Sequence, residues 1–340
     1  MQGSNSGPQY RAEYGKIAQN SLLEIKLCAL YPLFAMVAGY NIAMNTDPSL
    51  IPAHDEVDFE RRFGGIARLY GAPALERFAR AHVCVVGVGG VGSWIVEGLA
   101  RSAIGHLTLI DMDNVAESNI NRQIQALSTT LGQAKISALA ERIALINPYC
   151  RVTQIEDFIT PDNVPQMIGV GRFDFVIDAI DDVKAKAALI AYSRDHGLPF
   201  LTIGSAGGQI DPCKIMIRDL AKTEQEPLLA KVRKRLRSQY RFPRGDKVKF
   251  GMDAVFSMEA LRFPEPKADA GGVCEPVGVT GLNCAGFGSS VVVTATFGMA
   301  AAGHVLQKLA AQASAAAMPT PATSTQATSI QASPAAQPAQ

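Results

Sequence analysis

The sequence lacks the charge imbalance of a polyelectrolyte and the polar bias of a disordered chain. Of its 340 residues, 32 Lys and Arg offset 31 Asp and Glu, which leaves a net charge of +1. A chain this close to neutral is no polyelectrolyte, so any affinity for nucleic acid must come from a local patch. Hydrophobic residues make up 48% of the chain and charged residues 19%. This composition excludes general disorder and provides a large core for one big α/β domain or two small ones.

Cysteine is scarce and follows no pattern. The six cysteines form no C-x-x-C pair and no regular framework: Cys28, Cys84, Cys150, Cys213, Cys274 and Cys284. This argues against structural zinc and against a secreted disulfide scaffold, and it indicates a reducing compartment. Cys84 falls inside a predicted strand and is expected in the core, and no cysteine is assigned to catalysis. Cys284 is the candidate if one takes part.

Long uncharged runs are few, and two of them raise the possibility of a membrane segment. Residues 27–44 are nearly all apolar and fit a signal-type segment, a short anchor, or an extension upstream of a start at Met44. Residues 276–307 contain no Asp, Glu, Lys or Arg, and 289–309 come close to the length of a membrane span. A helix buried against a sheet has the same composition. We expect a cytoplasmic protein, with membrane association through 27–44 or 289–309 left open.

Composition divides the chain into three parts: an N-terminal extension (1–54), a globular domain (55–310) and a tail (311–340) rich in Ala, Ser, Thr, Pro and Gln. The tail is expected to be disordered, because it cannot bury enough surface to offset its ordering entropy. In the globular part, short apolar runs predict strands and helical spacing predicts the helices between them. The predicted strands are 82–87, 106–111, 150–158, 173–180 and 198–204, and the predicted helices are 91–103, 132–147 and 182–196.

This alternation of strands and helices predicts an α/β fold. The expected architecture is a doubly wound, mainly parallel sheet of Rossmann type with right-handed crossovers. From Gly207 onward the pattern is irregular and includes a loop-rich insertion at 264–285.

A glycine-rich turn occupies the position where such a fold binds phosphate. Residues 87–92 read G-V-G-G-V-G between the first strand and a helix. There, backbone N–H groups can approach a phosphate without a Cβ in the way. Asp111 closes the next strand at the distance where an acid accepts bonds from ribose hydroxyls. The pattern favours nucleotide binding over a bare strand-to-helix turn, and NAD and ATP fit it equally.

Charged residues beyond the next strand ends favour a triphosphate. Arg122 and Lys135 are two cations expected at the same edge of the sheet, which a nicotinamide ring does not need. Asp178 and Asp181 follow the strand 173–180, and carboxylates beside phosphates imply Mg²⁺ between them. Each of these residues alone also fits a solvated charge or a helix cap, so the argument depends on their joint occurrence.

Together these motifs resemble the adenylyltransferase core of the ubiquitin-activating-enzyme superfamily. SNINRQIQAL (118–127), VIDAIDDVKAKAALIAY (176–192) and GSAGGQIDP (204–212) resemble more closely the tRNA threonylcarbamoyladenosine dehydratase family, and the resemblance covers residues 59–310. It implies that ATP adenylates the carboxylate of the threonylcarbamoyl group on adenosine 37 of tRNA. The carbamoyl group then closes a ring and expels AMP, with a net loss of water.

The resemblance also implies roles for single residues and for partners. Arg122, Lys135 and Asp181 would be catalytic, with Asp181 bound to Mg²⁺. A homodimer is expected, and a partner from a sulfur pathway is possible. The residues that would hold ATP are Gly87, Gly89, Gly90, Gly92, Asp111, Asp113, Asn119, Arg122, Lys135 and Asp178.

Two departures from the superfamily pattern keep alternatives open. The paired zinc cysteines of the sulfur-transfer branches are missing, and the early arginine motif is replaced around Phe63, with Arg62 or Arg68 as substitutes. One alternative is an adenylyltransferase that activates the C-terminus of a ubiquitin-like or sulfur-carrier protein. Another is an NAD-binding oxidoreductase or redox sensor, although the five isolated histidines offer no hydride-transfer arrangement.

A basic segment is the candidate contact for tRNA. Residues 231–249 hold nine Lys or Arg against the single Asp246. Such a cluster binds phosphates by releasing counterions, and Tyr240 and Phe242 are expected to stack on bases. Without a tRNA substrate, the same run would fit a solvated helix face. The candidate tRNA-binding residues are Arg233, Lys234, Arg235, Arg237 and Arg241.

Overall fold

A computed structural model describes residues 57–169, 173–245, 248–263 and 287–317. Several sequence predictions lie outside the described residues. These are the apolar segment 27–44, the insertion 264–285 and the cysteines Cys28, Cys274 and Cys284.

In the described part of the chain, seven strands form one sheet in the order β3-β2-β1-β4-β5-β7-β6. All neighbouring pairs are parallel except β6 and β7, which are antiparallel. The prediction of a doubly wound, mainly parallel sheet is therefore confirmed, and β6 and β7 are additions that the sequence pattern did not reveal. The strands are β1 His82–Val86, β2 His106–Ile110, β3 Arg151–Ile155, β4 Phe175–Asp178, β5 Phe200–Ile203, β6 Ile215–Asp219 and β7 Asp253–Ser257.

Helices cover both faces of the sheet. All three predicted helices are present, slightly shorter than expected. Asp182 caps the helix 183–195 by accepting a hydrogen bond from Ala185 N at 2.7 Å. The helix 135–146 ends just before Asn147-Pro148, because a residue that precedes proline disfavours the helical conformation. The helices are α1 Phe59–Tyr70, α2 Ala72–Arg80, α3 Gly92–Ala100, α4 Lys135–Ile146, α5 Val164–Met167, α6 Val183–Asp195, α7 Pro227–Gln239 and α8 Val291–Ala317.

Successive side chains of the central strands point to opposite faces of the sheet and pack in two separate hydrophobic cores. Val83 and Val85 of β1 pack in the core that contains α3, α4 and α8. Cys84 and Val86 point to the opposite face and pack in the core that contains α6 and α7. This period of two with both faces buried is what a central parallel strand requires.

Helix α8 accounts for the uncharged run near the C-terminus. It packs against α2 and α3, and its Phe297, Ala301, Val305 and Leu309 are buried. Gly298 permits the close approach, since a Cβ there would lie 2.6 Å from Trp94 Cβ. The helix also continues to Ala317, past the expected start of the tail at residue 311. Thus the first residues of that predicted tail are helical.

None of the helices in the described ranges has the length and apolarity needed to cross a membrane.

The strand order fixes where a ligand can bind. From β1 the chain moves to β2 and β3 on one side of the sheet and then returns to β4 on the other side. A crevice forms beyond the carboxyl ends of the strands at such a reversal point, here between β1 and β4. The glycine-rich turn follows β1 directly, so it borders this crevice.

Candidate active site

A cleft of about 370 Å³ opens at this reversal point. It is bordered by the turn after β1, the ends of β2 and β4, the loop after β5 and the first turn of α8. The residues predicted from the sequence that line it are Gly87, Gly89, Gly90, Asp111, Asp113, Arg122, Lys135 and Asp181. Gly92, Asn119 and Asp178 do not line it.

Two glycines of the turn are required by geometry. Gly87 has φ 83°, a conformation that favours glycine, and a Cβ at this position would lie 3.1 Å from the backbone oxygen of Ala179. Gly92 packs against the turn itself, because a Cβ there would be 1.9 Å from the oxygen of Gly87. Gly92 therefore allows the close packing of the turn and does not contact the cleft. Within the described chain, no acceptor pairs with the N–H groups of Gly89 and Gly90 at the cleft wall.

Asp111 fastens the turn to the end of β2. Its Oδ2 accepts from Val88 N at 2.8 Å, and its Oδ1 accepts from Asp113 N at 2.9 Å. Each carboxylate oxygen can accept more than one hydrogen bond. Asp111 can therefore hold the turn and still accept a bond from a ligand hydroxyl in the cleft.

Lys135 occupies a position that helix electrostatics disfavours. It is the first residue of α4, where a cation opposes the helix dipole. Its side chain is 7% exposed and Nζ donates to Asp113 Oδ2 at 2.7 Å. This partner is itself 58% exposed. The ion pair holds a nearly buried ammonium group at the cleft wall, where an anion can bind it.

Arg122 lies across the glycine-rich turn. A Cβ on Gly90 would be 3.4 Å from Arg122 Cδ, so the glycine makes room for this side chain. The guanidinium donates to Ser118 O at 2.7 Å and to Asn121 Oδ1 at 3.0 Å through Nη1. Neither Nε nor Nη2 donates to a described residue. Arg122 is therefore a second cation at the cleft, and its Nε and Nη2 groups can still donate hydrogen bonds to a ligand.

Asp181 is exposed at the cleft rim and makes no hydrogen bond or ion pair with the described residues. The adjacent Asp182 also lines the cleft, but it caps α6. Asp181 thus offers an uncommitted carboxylate opposite Arg122 and Lys135.

Asp178 is in a different environment. It is fully buried at the end of β4 and pairs with the equally buried Lys186 at 2.8 Å. Thr202 Oγ1 also donates to its Oδ2 at 2.8 Å. The structure therefore separates the two aspartates that the sequence grouped, with Asp178 beneath the cleft and Asp181 at its rim.

Other candidates serve the loops or lie elsewhere. Asn119 is buried and its Oδ1 accepts from Ala116 N at 3.1 Å, which fixes the loop that carries Arg122. Arg62 donates to Ile146 O at 2.9 Å at the end of α4. Neither Arg62 nor Arg68 lines the cleft of this chain.

Sequence reasoning missed the part of the cleft wall that follows β5. Ser205 lines the cleft, and its backbone N donates to the buried carboxylate Glu226 Oε1 at 2.8 Å. Burial raises the pKa of Glu226, and hydrogen bonds from Leu229 N and Ser205 N only partly offset this effect. The run G-S-A-G-G (204–208) after a predicted strand was the available signal. Ser289 and Thr294 also line the cleft and come from the distant α8 region.

The basic segment is packed more deeply than the sequence suggested. Phe242 is 3% exposed and packs against Phe250, with the Arg194 guanidinium 3.9 Å from its ring centroid. The prediction that Phe242 stacks on bases is therefore wrong, because another helix covers its ring.

Three of the five candidate arginines and lysines in this segment are also partly buried. Arg233 donates to Thr223 Oγ1, and burial together with the charge of Arg237 lowers its pKa. The Nε atoms of Arg235 and Arg237 are buried. Lys234 and Arg241 are exposed and are the two candidates whose side chains can meet a partner freely.

The other reactive side chains lie away from the cleft. Cys84 is buried as predicted, and burial raises the pKa of its thiol. His82 and His106, expected to be isolated, are instead stacked with ring centroids 3.4 Å apart at the amino ends of β1 and β2.

Comparison with known proteins agrees with this geometry. Residues 63–337 match the ThiF family. The chain is 54% identical over 260 residues to a tRNA threonylcarbamoyladenosine dehydratase from Escherichia coli (strain K12), covering 75% of this chain and 96% of that protein. A dehydratase of the same name from Haemophilus influenzae is 52% identical, with 74% and 94% covered. The crystal structure of the E. coli enzyme in complex with ATP is also similar, with 53% identity, a TM-score of 0.67 and 75% and 96% of the chains covered.

The fold and the cleft define a nucleotide-binding α/β protein of the doubly wound class. The chain belongs to the ThiF family, within the group that contains the tRNA threonylcarbamoyladenosine dehydratases. The resemblance stated from the sequence is confirmed, and membership of this family disfavours the NAD-dependent oxidoreductase alternative.

Proposed function

We propose that this protein uses ATP to dehydrate threonylcarbamoyladenosine at position 37 of tRNA. One observation carries the proposal. This chain is 54% identical to a dehydratase over nearly that protein's whole length, and its Arg122, Lys135 and Asp181 line the same glycine-rich cleft. A carboxylate oxygen of the threonyl group attacks the α-phosphorus of ATP, and pyrophosphate leaves. The carbamoyl group then attacks the activated carbonyl carbon, and AMP leaves with the former carboxylate oxygen.

In this proposal the chain contributes position and charge more than acid or base chemistry. The N–H groups of Gly89 and Gly90 and the start of α3 bind phosphate oxygens. Arg122 and Lys135 stabilise the negative charge that develops at the attacked phosphorus. Asp111 accepts hydrogen bonds from the ribose.

Asp181 fits the role of a Mg²⁺ ligand. Mg²⁺ in nucleotide sites is typically held by one or two carboxylates, by phosphates and by water. Asp181 is exposed and makes no hydrogen bond or ion pair with the described residues, whereas Asp157 at the same cleft accepts from Phe158 N and Asp178 is paired with Lys186. When bound, the ion would neutralise phosphate charge beside Asp181.

We further infer that the tRNA binds along the exposed part of the basic segment and that the protein acts as a cytoplasmic homodimer. The exposed Lys234, Arg241 and Arg244 support a phosphate contact. Dimerisation and a sulfur-pathway partner are implied by the family resemblance, and size-exclusion chromatography with light scattering tests the first of these.

Mass spectrometry of nucleosides tests the reaction. Incubating the protein with tRNA that carries threonylcarbamoyladenosine should reduce the mass of that nucleoside by one water, and only when ATP and Mg²⁺ are present. AMP and pyrophosphate should appear in equal amounts. An unchanged nucleoside would refute the proposal.

Two variants with matched controls test the assigned roles. Arg122→Ala should lower kcat by about 100-fold or more, as expected for losing a donor to transition-state charge. Arg218→Ala, an exposed arginine of β6, should leave it unchanged. Asp181→Asn should raise the Mg²⁺ concentration needed for half-maximal activity, while the exposed Asp162→Asn should have no effect. Full activity in both site variants would contradict the assignment.

The alternative of activating a ubiquitin-like or sulfur-carrier protein uses the same adenylation chemistry. It predicts pyrophosphate exchange that depends on a carrier protein with a free C-terminal carboxylate and is indifferent to tRNA.

A further inference from the structure

A pair of aromatic rings, the exposed Phe263 and the half-buried Phe287, lies beside the cleft and has no role in the function proposed above. Phe263 is 75% exposed, and its ring centroid is 5.3 Å from that of Phe287, with the rings tilted by 54°. Burying a phenylalanine ring is strongly favourable. A ring left this accessible in the free protein is therefore available to a partner.

The backbone next to both rings is held by a single glycine of the cleft region. Gly208 N donates to Gly288 O at 2.8 Å, and Arg262 N donates to Gly208 O at 2.8 Å. These bonds hold the chain neighbours of Phe287 and Phe263. Gly208 has φ 73°, and a Cβ there would be 3.0 Å from Phe287 Cδ1. The aromatic pair is thus a preorganised feature anchored next to Gly207, which lines the cleft.

The pair separates two open hollows on the surface. Phe287 lines the first together with Arg122 and Ser289, two residues that also line the cleft. Phe263 lines the second together with Gln225, which precedes α7, and Arg233, which lies in the middle of α7. The contacting rings of Phe287 and Phe263 therefore connect a hollow beside the cleft with a hollow beside the basic helix α7.

The residues between the cleft and α7 have the chemistry that binds single-stranded RNA. Arg122 is the cation at the cleft end. At the other end the partly buried Arg233 lines the second hollow and the exposed Lys234 follows it on α7, so the aromatic rings lie between cations. Unstacked bases of RNA loops bind by stacking on aromatic side chains while cations hold the backbone. An apolar peptide segment would not need the flanking cations.

We propose that Phe263 and Phe287 form a stacking platform for an unpaired base that neighbours the modified nucleoside in the anticodon loop of the tRNA. This inference rests on the proposed function. The platform would hold the loop so that the threonylcarbamoyl group reaches the cleft through the first hollow.

Binding of a modified anticodon stem-loop RNA, measured by fluorescence anisotropy, tests the platform. Phe263→Ala should weaken binding about 10-fold, which corresponds to about 1.4 kcal/mol and lies in the range for one base stacked on an aromatic ring. Phe263→Leu, which keeps an apolar side chain without a π face, should remain weak, and Phe263→Tyr should restore affinity. ATP affinity should not change in any of these variants.

Two further readouts separate stacking from other roles. The slope of log K against log salt should be unchanged in Phe263→Ala, because stacking releases no counterions, whereas Lys234→Ala should reduce it by about one. A stem-loop with 2-aminopurine beside the modified nucleoside should change its fluorescence on binding the parent protein and much less on binding Phe263→Ala.

The outcomes distinguish this inference from the function on which it rests. If the parent protein binds no tRNA and leaves the nucleoside intact, the proposed function fails. If the parent binds and dehydrates tRNA while Phe263→Ala binds it equally well, the platform alone is refuted. A lower melting temperature for Phe263→Ala with unchanged RNA affinity would also refute it, because the ring would then stabilise the fold without binding RNA.

Discussion

Replacing Lys186 by methionine should destabilise the protein more than almost any other single change near the cleft. Lys186 and Asp178 are both fully buried, and Nζ also donates to Ile203 O at 2.9 Å and lies 3.2 Å from Thr202 Oγ1. Methionine has a similar length and fills the same space, so the substitution removes the charge and leaves little cavity. The carboxylate of Asp178 then remains buried without its cation.

The magnitude follows from this burial. Removing one partner of a buried ion pair costs about 3–5 kcal/mol, because the remaining charge is desolvated and uncompensated. The hydrogen bonds to Asp178 from Thr202 Oγ1 and Ile180 N remain, so we expect the lower half of this range. For a domain of this size each kcal/mol lowers the melting temperature by roughly 2–4 °C, so a decrease of roughly 10 °C is expected.

A double-mutant cycle measured by urea denaturation isolates the pair. Asp178→Asn should also destabilise, since it leaves the Lys186 ammonium with only neutral hydrogen-bond partners, although the charge of Glu226 still acts on it. The double variant Asp178→Asn with Lys186→Met should be more stable than the sum of the two losses predicts, by about 2 kcal/mol, because neither charge is left unpaired. Lys184→Met, on the exposed side of the same helix, should change stability by less than about 0.5 kcal/mol. Strictly additive losses, or a Lys186→Met variant as stable as the parent, would refute the reasoning.

The same pair shows where sequence reasoning reached its limit at the site. The run D-A-I-D predicts two carboxylates at one strand end, and both are there. Asp178, as the last residue of β4, still points into the sheet, while Asp181 lies beyond the strand and is exposed. A lysine eight residues later in the following helix was the signal for a buried partner, but a cation in a helix normally indicates a solvated face.

The fold was predictable where local sequence determines it. Strands β1, β2, β4 and β5 are short, mostly apolar or β-branched runs that end at glycine or a polar residue, whereas β3 (RVTQI) alternates such residues with polar ones. Strand β6 (IMIRD) and strand β7 (DAVFS) are equally short, but they pair antiparallel across a long connection. Pairing of that kind depends on tertiary packing against β5, which no local pattern encodes.

Long-range packing also explains the missed parts of the cleft. Ser289 reaches it because Asn121 Nδ2 donates to Ser289 O at 2.9 Å, a contact between residues far apart in the chain. The error at Phe242 has the same origin. An aromatic residue among cations predicts an exposed stacking surface, yet Arg194 of α6 covers that ring, and its position was not readable from residues 231–249.

Two further predictions concern the glycine-rich turn and a histidine at the amino end of β2. Gly92→Ala should abolish ATP binding or prevent folding, since the added Cβ would lie 1.9 Å from Gly87 O. The control Gly65→Ala brings the new Cβ into ordinary contacts only and should be neutral or stabilising. Isothermal titration calorimetry measures ATP binding and circular dichroism measures folding in both variants. The second prediction concerns acid stability. Burial, aided by the neighbouring charges of His82 and Arg151, lowers the pKa of His106 from 6.5 to about 4. The unfolded chain therefore binds a proton between these pH values that the folded chain rejects, so stability present above pH 6.5 falls as the pH approaches 4. The ring is partly exposed, and after allowance for solvent screening the loss amounts to about 1 kcal/mol. His106→Gln retains a hydrogen-bonding partner for Thr153 and should lose stability less steeply over this range in urea titrations. An identical pH dependence in parent and variant would show that the imidazole is protonated equally in both states.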